Sequence, residues 1–243
     1  MPRAISGMAG PTGFSLTVDR EDRMERLIFE RYRFERRTIP KDPLLSFWDN
    51  ALEKVPLLRW IDPVRFSFFG AITLVSLLAF HYFSTLEITA SQVDTPIAFG
   101  PLGAIFLLIG ALIHLSGTAS WHGLEHRTLT LLNHHFEHPG PADEESLYQR
   151  LKTTSPINPW CGSNDAISYL LLLAALTHLF PVPIAITLAF LPFAFAHPLS
   201  LRKGLSVFQW LFVGPAREKQ LRFVARSLSQ YLEASGPKGT GKA

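Results

Sequence analysis

The chain has 243 residues, 47% of them hydrophobic, with a formal net charge of +3 and one cysteine. A single cysteine excludes an intrachain disulfide. The small positive charge comes without any nucleic-acid-binding motif and suits the basic flanks of membrane helices, so we expect no nucleic acid as a partner.

The first 42 residues predict a small β-rich region, which leads into a helix. Residues 14–18 alternate apolar and polar side chains, which is typical of a strand. Residues 29–37 alternate charged and aromatic side chains and favour a hairpin, although residues 24–34 also fit a charged helix. Residues 43–62 gather apolar side chains on one helical face, which predicts an amphipathic helix on a membrane surface or capping a bundle.

Residues 63–200 contain apolar runs that are long enough to cross a bilayer, which takes about 20 residues per helix. The fold expected from them is an α-helical integral membrane protein with about four transmembrane helices. The first two cover residues 66–86 and 97–121. Pro181 and Pro183 interrupt the next apolar run, which is long for one span and short for two. Basic residues place both ends of the apolar region on the same side, so an even number of crossings is required, and we expect a hairpin of two short helices at about residues 166–180 and 183–200.

Residues 201–243 complete the predicted organisation with a charged C-terminal helix and a flexible end. The helix covers residues 215–234, and its apolar positions are Leu221, Val224, Leu228 and Leu232. These positions form a stripe that predicts docking against the rest of the protein. Basic residues crowd both flanks of the apolar region, so we expect both termini to be cytoplasmic.

The end of the second predicted span carries an H-x-x-E-H motif, His122-Gly123-Leu124-Glu125-His126. Residues four apart on a helix share a face, with Cβ atoms about 5–6 Å apart, so two such histidines can hold one metal ion. Glu125 would then serve a bound water molecule as general base. A pair of interfacial histidines hydrogen-bonded to Glu125 and to lipid headgroups also explains the motif.

Cys161 is the natural third ligand, because its loop returns to the same predicted face as the histidine motif within residues 122–165. It lies in a rigid turn that leads into a helix N-terminus, an environment that favours thiolate over thiol. Two imidazoles and one thiolate suit zinc or another divalent transition metal, and they leave a fourth position for water. A small buried residue in a turn is the alternative reading of Cys161.

Two further sets of histidines offer other sites. His134, His135 and His138 follow the motif and fit a solvated helix end better than a metal site. His81 and His178 fall near the outer ends of their predicted spans, where they would be able to hold a haem or pigment between them. Single histidines within membranes also bridge helices by hydrogen bonds alone.

Two motifs of the chain resemble those of the YqhQ-like family, bacterial membrane proteins predicted to be metal-dependent enzymes. Residues 122–127 are similar to the family's His-Gly-Ala-Glu-His-Lys, and residues 158–163 to its His-Pro-Arg-Cys-Gly-Thr. Asn158 stands where the family has histidine, and Asn133 where it often has glutamate. The resemblance implies a divergent member in a bacterial inner, or thylakoid-like, membrane.

Three functions follow as hypotheses from these residues. The first is a zinc-dependent membrane hydrolase or transferase with its site on the cytoplasmic face, with His122, His126 and Cys161 as ligands and Glu125 as base. The second is a non-catalytic accessory or assembly subunit of a larger membrane complex. The third is a haem or pigment binder. The expected partners are the lipid bilayer and a membrane complex or a second copy of the chain.

Overall fold

The computed structural model describes residues 3–20, 23–41, 63–85, 99–158, 161–194 and 206–235. The chain divides into two compact units, each described by itself below. The sheet unit comprises Met1–Lys41, Ile109–Asn158 and Gln209–Ala243, and the helical unit comprises Asp42–Leu108 and Pro159–Phe208. The predicted amphipathic helix at residues 43–62 lies outside the described residues.

The N-terminal strands form one antiparallel sheet in the chain order β1-β2-β3-β4. Their bounds are β1 Arg3–Gly10, β2 Gly13–Asp19, β3 Met24–Glu30 and β4 Arg33–Ile39. Alternate side chains of β2 and β3 are buried, and the register pairs Leu16 with Leu27 and Phe14 with Phe29. Residues 24–34 therefore belong to a hairpin and not to a charged helix.

The described helices, in chain order, are α1 Pro63–Thr85, α2 Phe99–Leu115, α3 Thr118–Glu137, α4 Glu144–Thr153, α5 Gly162–Thr177, α6 Val182–Ala194 and α7 Glu218–Ser235. A 3₁₀ helix, Ser206–Leu211, precedes α7. Within the sheet unit, α3 packs on β1 and β2, and α7 packs on α4. The apolar stripe of α7 is buried in the core of this unit together with Leu16 and Leu124.

The turn between β3 and β4 has an unusual backbone. Arg31 and Tyr32 both have positive φ angles, 50° and 60°, in a position where a two-residue turn usually has Asn-Gly. Bulky side chains are strained in this conformation, so contacts elsewhere must hold it. The ring of Tyr32 supplies them: its centroid is 5.8 Å from that of Trp121 and 5.5 Å from that of Phe223, and the Lys219 ammonium lies 4.5 Å away.

A buried carboxylate ties the sheet to α7. Glu25 on β3 is fully buried and accepts hydrogen bonds from Arg20, Arg23 and Arg36, and from the Tyr231 hydroxyl at 2.9 Å. Burial alone would raise the pKa of Glu25, but the hydrogen bonds from Arg36 and the other three donors lower it from 4.5 to about 2. Burial raises the pKa of Tyr231 to about 12.

The helical unit is built on α6. Both α1 and α5 pack against it, and the buried Tyr169 and Ala189 mark the centre of the contact. Partly buried apolar side chains such as Ile72, Leu173 and Phe190 surround this pair.

No single helix among the described residues is both long enough and apolar enough to cross a membrane. The segments Gly103–Leu115 and Thr118–Glu137 reach the length and composition only as a pair, and they are bent by 86° at their junction. Gly117, with a φ of 78°, lies in that junction and interrupts the run that hydropathy joins into one span. This finding contradicts the predicted integral membrane fold with about four transmembrane helices. It equally contradicts the predicted location in a bacterial inner or thylakoid-like membrane with cytoplasmic termini.

Candidate metal centre

The H-x-x-E-H motif lies on α3, one turn after the helix begins. His126 is 1% exposed and His122 is half-buried. Their ring centroids are 4.5 Å apart, and the ring planes meet at 65°. The four-residue spacing therefore brings the two imidazoles side by side, as helical periodicity predicts.

Each of the two imidazoles contacts a backbone carbonyl through its Nδ1 atom. The Nδ1 of His122 lies 3.1 Å from the carbonyl oxygen of Phe212, and the Nδ1 of His126 lies 2.6 Å from that of Pro156. A carbonyl oxygen only accepts hydrogen bonds, so each Nδ1 donates and carries the ring proton. In a neutral ring the other nitrogen, Nε2, is then unprotonated and able to bind a metal, which is the arrangement that metal-binding histidines typically have.

A close approach of two backbones presents the Phe212 carbonyl to His122. A Cβ atom on Gly123 would stand 2.6 Å from the carbonyl oxygen of Gly214, so the motif glycine lets this segment lie directly on α3. The Gly214 N–H donates to the carbonyl of Ala119 at 2.7 Å and holds the segment there. The glycine of the motif is thus a positioning residue, to which the sequence alone assigned no role.

Arg127, the residue after the motif, bonds to the end of α4, which precedes Pro156. Its guanidinium donates to the carbonyl oxygens of Leu151 and Lys152 at 2.9 and 2.8 Å, in the last turn of α4. A cation that bonds the last carbonyls of a helix fixes where the helix ends. Pro156, whose carbonyl contacts His126, lies four residues after Lys152 in the segment that leaves this helix end. Burial lowers the pKa of Arg127.

Glu125 faces β1, whereas the histidines face the carbonyls of residues 156 and 212. The side chain of Glu125 is 5% exposed. A Cβ atom on Gly7 would stand 2.2 Å from its Oε1, so the carboxylate lies directly against the backbone of β1. The role of Glu125 as general base stays a prediction.

Both asparagines at which the chain departs from the family motifs take part in a pair of hydrogen bonds between an amide side chain and a backbone. The Asn133 amide donates to the carbonyl of Ala4 at 3.0 Å and accepts from its N–H at 2.8 Å, as a neighbouring strand would at the edge of β1. The buried amide of Gln209 does the same for Asn158, whose N–H it accepts at 2.9 Å and to whose carbonyl it donates. The sequence pattern alone assigns Gln209 no role, because a single polar residue beside an apolar stretch is not distinctive.

Cys161 is the half-buried N-cap residue of α5. It follows the anchored Asn158 by three residues, and three residues span at most about 10–11 Å. The chain itself therefore keeps Cys161 close to that anchor. His122, His126 and Cys161 are a possible metal-binding group in which each residue offers one ligand atom, and nothing in the structure identifies the metal.

The possible metal-binding group does not include the other described histidines. The rings of His134 and His138 are 5.3 Å apart at the end of α3, and Arg150 contacts the Nδ1 of His134 at 3.2 Å. Burial and the nearby charges lower the pKa of His135. His81 and His178 are exposed residues of the helical unit, and a haem or pigment between them stays a prediction.

No family model, no curated protein and no solved structure matches this chain. The resemblance to the YqhQ-like family therefore stays a prediction, and so do the partners expected from the sequence.

Proposed function

We propose that this chain binds one transition metal ion, preferably zinc, through His122, His126 and Cys161, and acts as a metal-dependent hydrolase or transferase. The observation that carries the proposal is the contact of both Nδ1 atoms with backbone carbonyls, because it places the proton of a neutral ring on Nδ1 and leaves Nε2 to bind the metal. Two imidazoles and a thiolate form a ligand set that zinc accepts with a fourth position for water.

The chain's own residues prepare this chemistry in three ways. The carbonyls of Phe212 and Pro156 fix the tautomer and orientation of the two rings. The burial of His126 keeps bulk water from one side of the site. A zinc ion held by His122, His126 and Cys161 would supply Lewis acidity and lower the pKa of a bound water molecule to about 7. Glu125, next to His126 in the chain, would take the proton on its carboxylate.

A structural metal site in a non-catalytic accessory or assembly subunit is the second candidate. The position of Glu125 favours it, because the carboxylate is buried and lies directly against the backbone of Gly7. Structural zinc sites are closed to water, whereas catalytic sites keep one position open. The two candidates share their ligands and differ in what Glu125 does.

Metal content tests the shared part of both candidates. Elemental mass spectrometry should find one equivalent of a transition metal in the purified wild-type protein, and loss of that metal in His122→Ala, His126→Ala and Cys161→Ser. His134→Ala is the matched control, because it removes an exposed histidine from the same helix. A wild-type protein without metal, or equal loss in the control, would refute the site.

Cobalt substitution tests the thiolate directly. A cobalt-loaded protein should show a sulfur-to-cobalt charge-transfer band, and Cys161→Ser should remove it. A band that survives this change would show that the chain's single cysteine is not the source.

Glu125→Gln then separates the two candidates. In a hydrolase this variant should keep its metal and lose hydrolysis of chromogenic esters and phosphodiesters, because only the proton acceptor has changed. If its hydrolysis equals that of the wild type, Glu125 is not the base. If the metal-loaded wild type hydrolyses none of these compounds, the structural candidate gains.

A further inference from the structure

The sheet unit contains a cavity of about 480 Å³ beside the first turn of α3. The turns β1–β2 and β3–β4 form one wall, through Thr12 and Arg31. The residue before α7 and the first turn of α7 form another, through Arg217 and Gln220. Among the described residues the lining includes two guanidinium groups and no carboxylate. Cavities of about 300–1,000 Å³ are typical of small-molecule sites.

Both guanidinium groups have N–H donors that make no short hydrogen bond to the described residues. Arg217 makes no side-chain hydrogen bond or ion pair with any residue in the described ranges. Arg31 has only a loose, exposed pairing with Glu30 at 3.9 Å, and that carboxylate also accepts from the Thr12 hydroxyl at 3.3 Å. The Lys219 ammonium over the ring of Tyr32 adds a positive charge nearby. The cavity therefore has an excess of cationic donors.

Hydrogen bonds hold the cavity wall in place without using the Arg217 side chain. The backbone N–H of Arg217 donates to Oε1 of Gln220 at 2.8 Å. Nε2 of Gln220 donates to the Ser120 hydroxyl at 3.2 Å, and Ser120 donates to the carbonyl of Gly117 at 2.9 Å. This chain of contacts fixes the segment before α7 to the start of α3. The guanidinium of Arg217 remains available to a ligand.

The backbone of Arg31 is held in a strained conformation although glycine would suit the turn better. Its N–H donates to the carbonyl of Thr12 at 2.9 Å, which joins the two turns of the wall. That contact needs no particular side chain at position 31. An arginine at position 31 adds a guanidinium group to the cavity lining, which a glycine would not provide.

We propose that this cavity binds the phosphate group of a small phosphorylated molecule between Arg31 and Arg217. The planar guanidinium presents paired N–H donors that match phosphate oxygens, and such charge-assisted hydrogen bonds are among the strongest in proteins. Two cations suit a phosphate monoester, which carries close to two negative charges near pH 7, better than a carboxylate, which carries one. This site shares no residue with the candidate metal ligands.

Isothermal titration of the full chain with phenyl phosphate, inorganic phosphate and benzoate tests the proposal. Both phosphates should bind saturably and more tightly than benzoate. Arg31→Gln and Arg217→Gln should each weaken phenyl phosphate binding about tenfold or more, since each removes a hydrogen bond to a charged group. Arg33→Gln is the matched control, because Arg33 is exposed on the same hairpin and does not line the cavity. It should leave binding unchanged.

A second variant distinguishes a loss of binding from a loss of folding. Arg31→Gly relieves the strained backbone, so its unfolding midpoint should equal or exceed that of the wild type, while phenyl phosphate binding should fall as in Arg31→Gln. Retained binding in a folded Arg31→Gly protein would overturn the proposal. So would benzoate binding as tight as that of phenyl phosphate, equal weakening in Arg33→Gln, or no saturable binding of either phosphate.

Discussion

Replacement of Glu25 by glutamine tests how the sheet and α7 are held together. The change keeps the size of the side chain and removes its negative charge. In the wild type the carboxylate accepts hydrogen bonds from three arginines and from Tyr231. Glutamine cannot form the same set of ion pairs, so the guanidinium groups would lose their common counter-charge. We expect the sheet unit to become less stable at neutral pH and to lose most of its sensitivity to acid.

The size of the effect follows from the pKa of Glu25. A fall from 4.5 to about 2 corresponds to about 3 kcal/mol, at about 1.36 kcal/mol for each pH unit. The side chains of Arg20, Arg23 and Arg36 are 15%, 40% and 30% exposed, so solvent screens the interaction. We therefore expect the variant to lose about 2 kcal/mol of unfolding free energy at pH 7.

The lowered pKa of Glu25 also sets the direction in which the stability of the protein changes with pH. Because the folded protein lowers the pKa of Glu25, this stabilisation is present above the ordinary pKa of about 4.5 and is lost as the pH falls towards about 2. The wild type should therefore lose stability between pH 5 and pH 2, and Glu25→Gln should lose less over the same range. The two proteins should become similar at the acid end.

Urea unfolding at a series of pH values measures both the loss of unfolding free energy at pH 7 and the change of that free energy with pH. Hydrogen exchange of the β3 amides, followed by mass spectrometry, reports on the sheet unit separately from the helical unit. Glu35→Gln is the matched control, because Glu35 lies exposed on the neighbouring strand and pairs only with Arg37 among the described residues. An unchanged acid response in Glu25→Gln, or an equal loss of stability in the control, would refute the reasoning.

Two further changes test positioning residues. Gly123→Ala places a Cβ 2.6 Å from the Gly214 carbonyl oxygen, which should push that segment from α3, disturb the carbonyl contact of His122 and lower zinc affinity about 10–100-fold. Competition with a chromogenic chelator measures this, and unchanged affinity would contradict the role of the glycine. Asn133→Leu removes both hydrogen bonds to the Ala4 backbone and should lower the free energy of unfolding by about 1–3 kcal/mol. Hydrogen exchange of the β1 amides should become faster, and protection equal to that of the wild type would contradict this role of Asn133.

Local periodicity explains what the sequence predicted correctly. The stripe of Leu221, Val224, Leu228 and Leu232 is buried, because a period of 3.6 residues places these positions on one helical face. The same rule brought the rings of the two motif histidines together. Such predictions need only the residues of one element.

The contacts that complete the candidate site join distant parts of the chain and were not predictable in this way. The carbonyl that contacts His122 belongs to Phe212, 90 residues later in the chain. The approach of Gly214 to Gly123 likewise depends on the tertiary fold. Pattern analysis of one sequence contains no information about which distant carbonyl an imidazole will meet.

The prediction of transmembrane helices failed because hydropathy records composition and not direction. Residues 97–121 form one continuous apolar run in the sequence, but the chain turns by 86° between α2 and α3. Gly117 adopts a left-handed conformation at the turn. Two shorter helices with different directions therefore replace the single predicted span.

The order in which this chain is synthesised matters for the sheet unit, because its three segments are separated in the sequence. Glu25 and Tyr231 are 206 residues apart, so a ribosome adding about 5–20 residues per second makes them about 10–40 s apart. Until α7 emerges, the β-sheet lacks the helix that supplies part of its core, and apolar side chains such as Leu27 lack that cover. Completion of this part of the core thus depends on the delayed docking of α7.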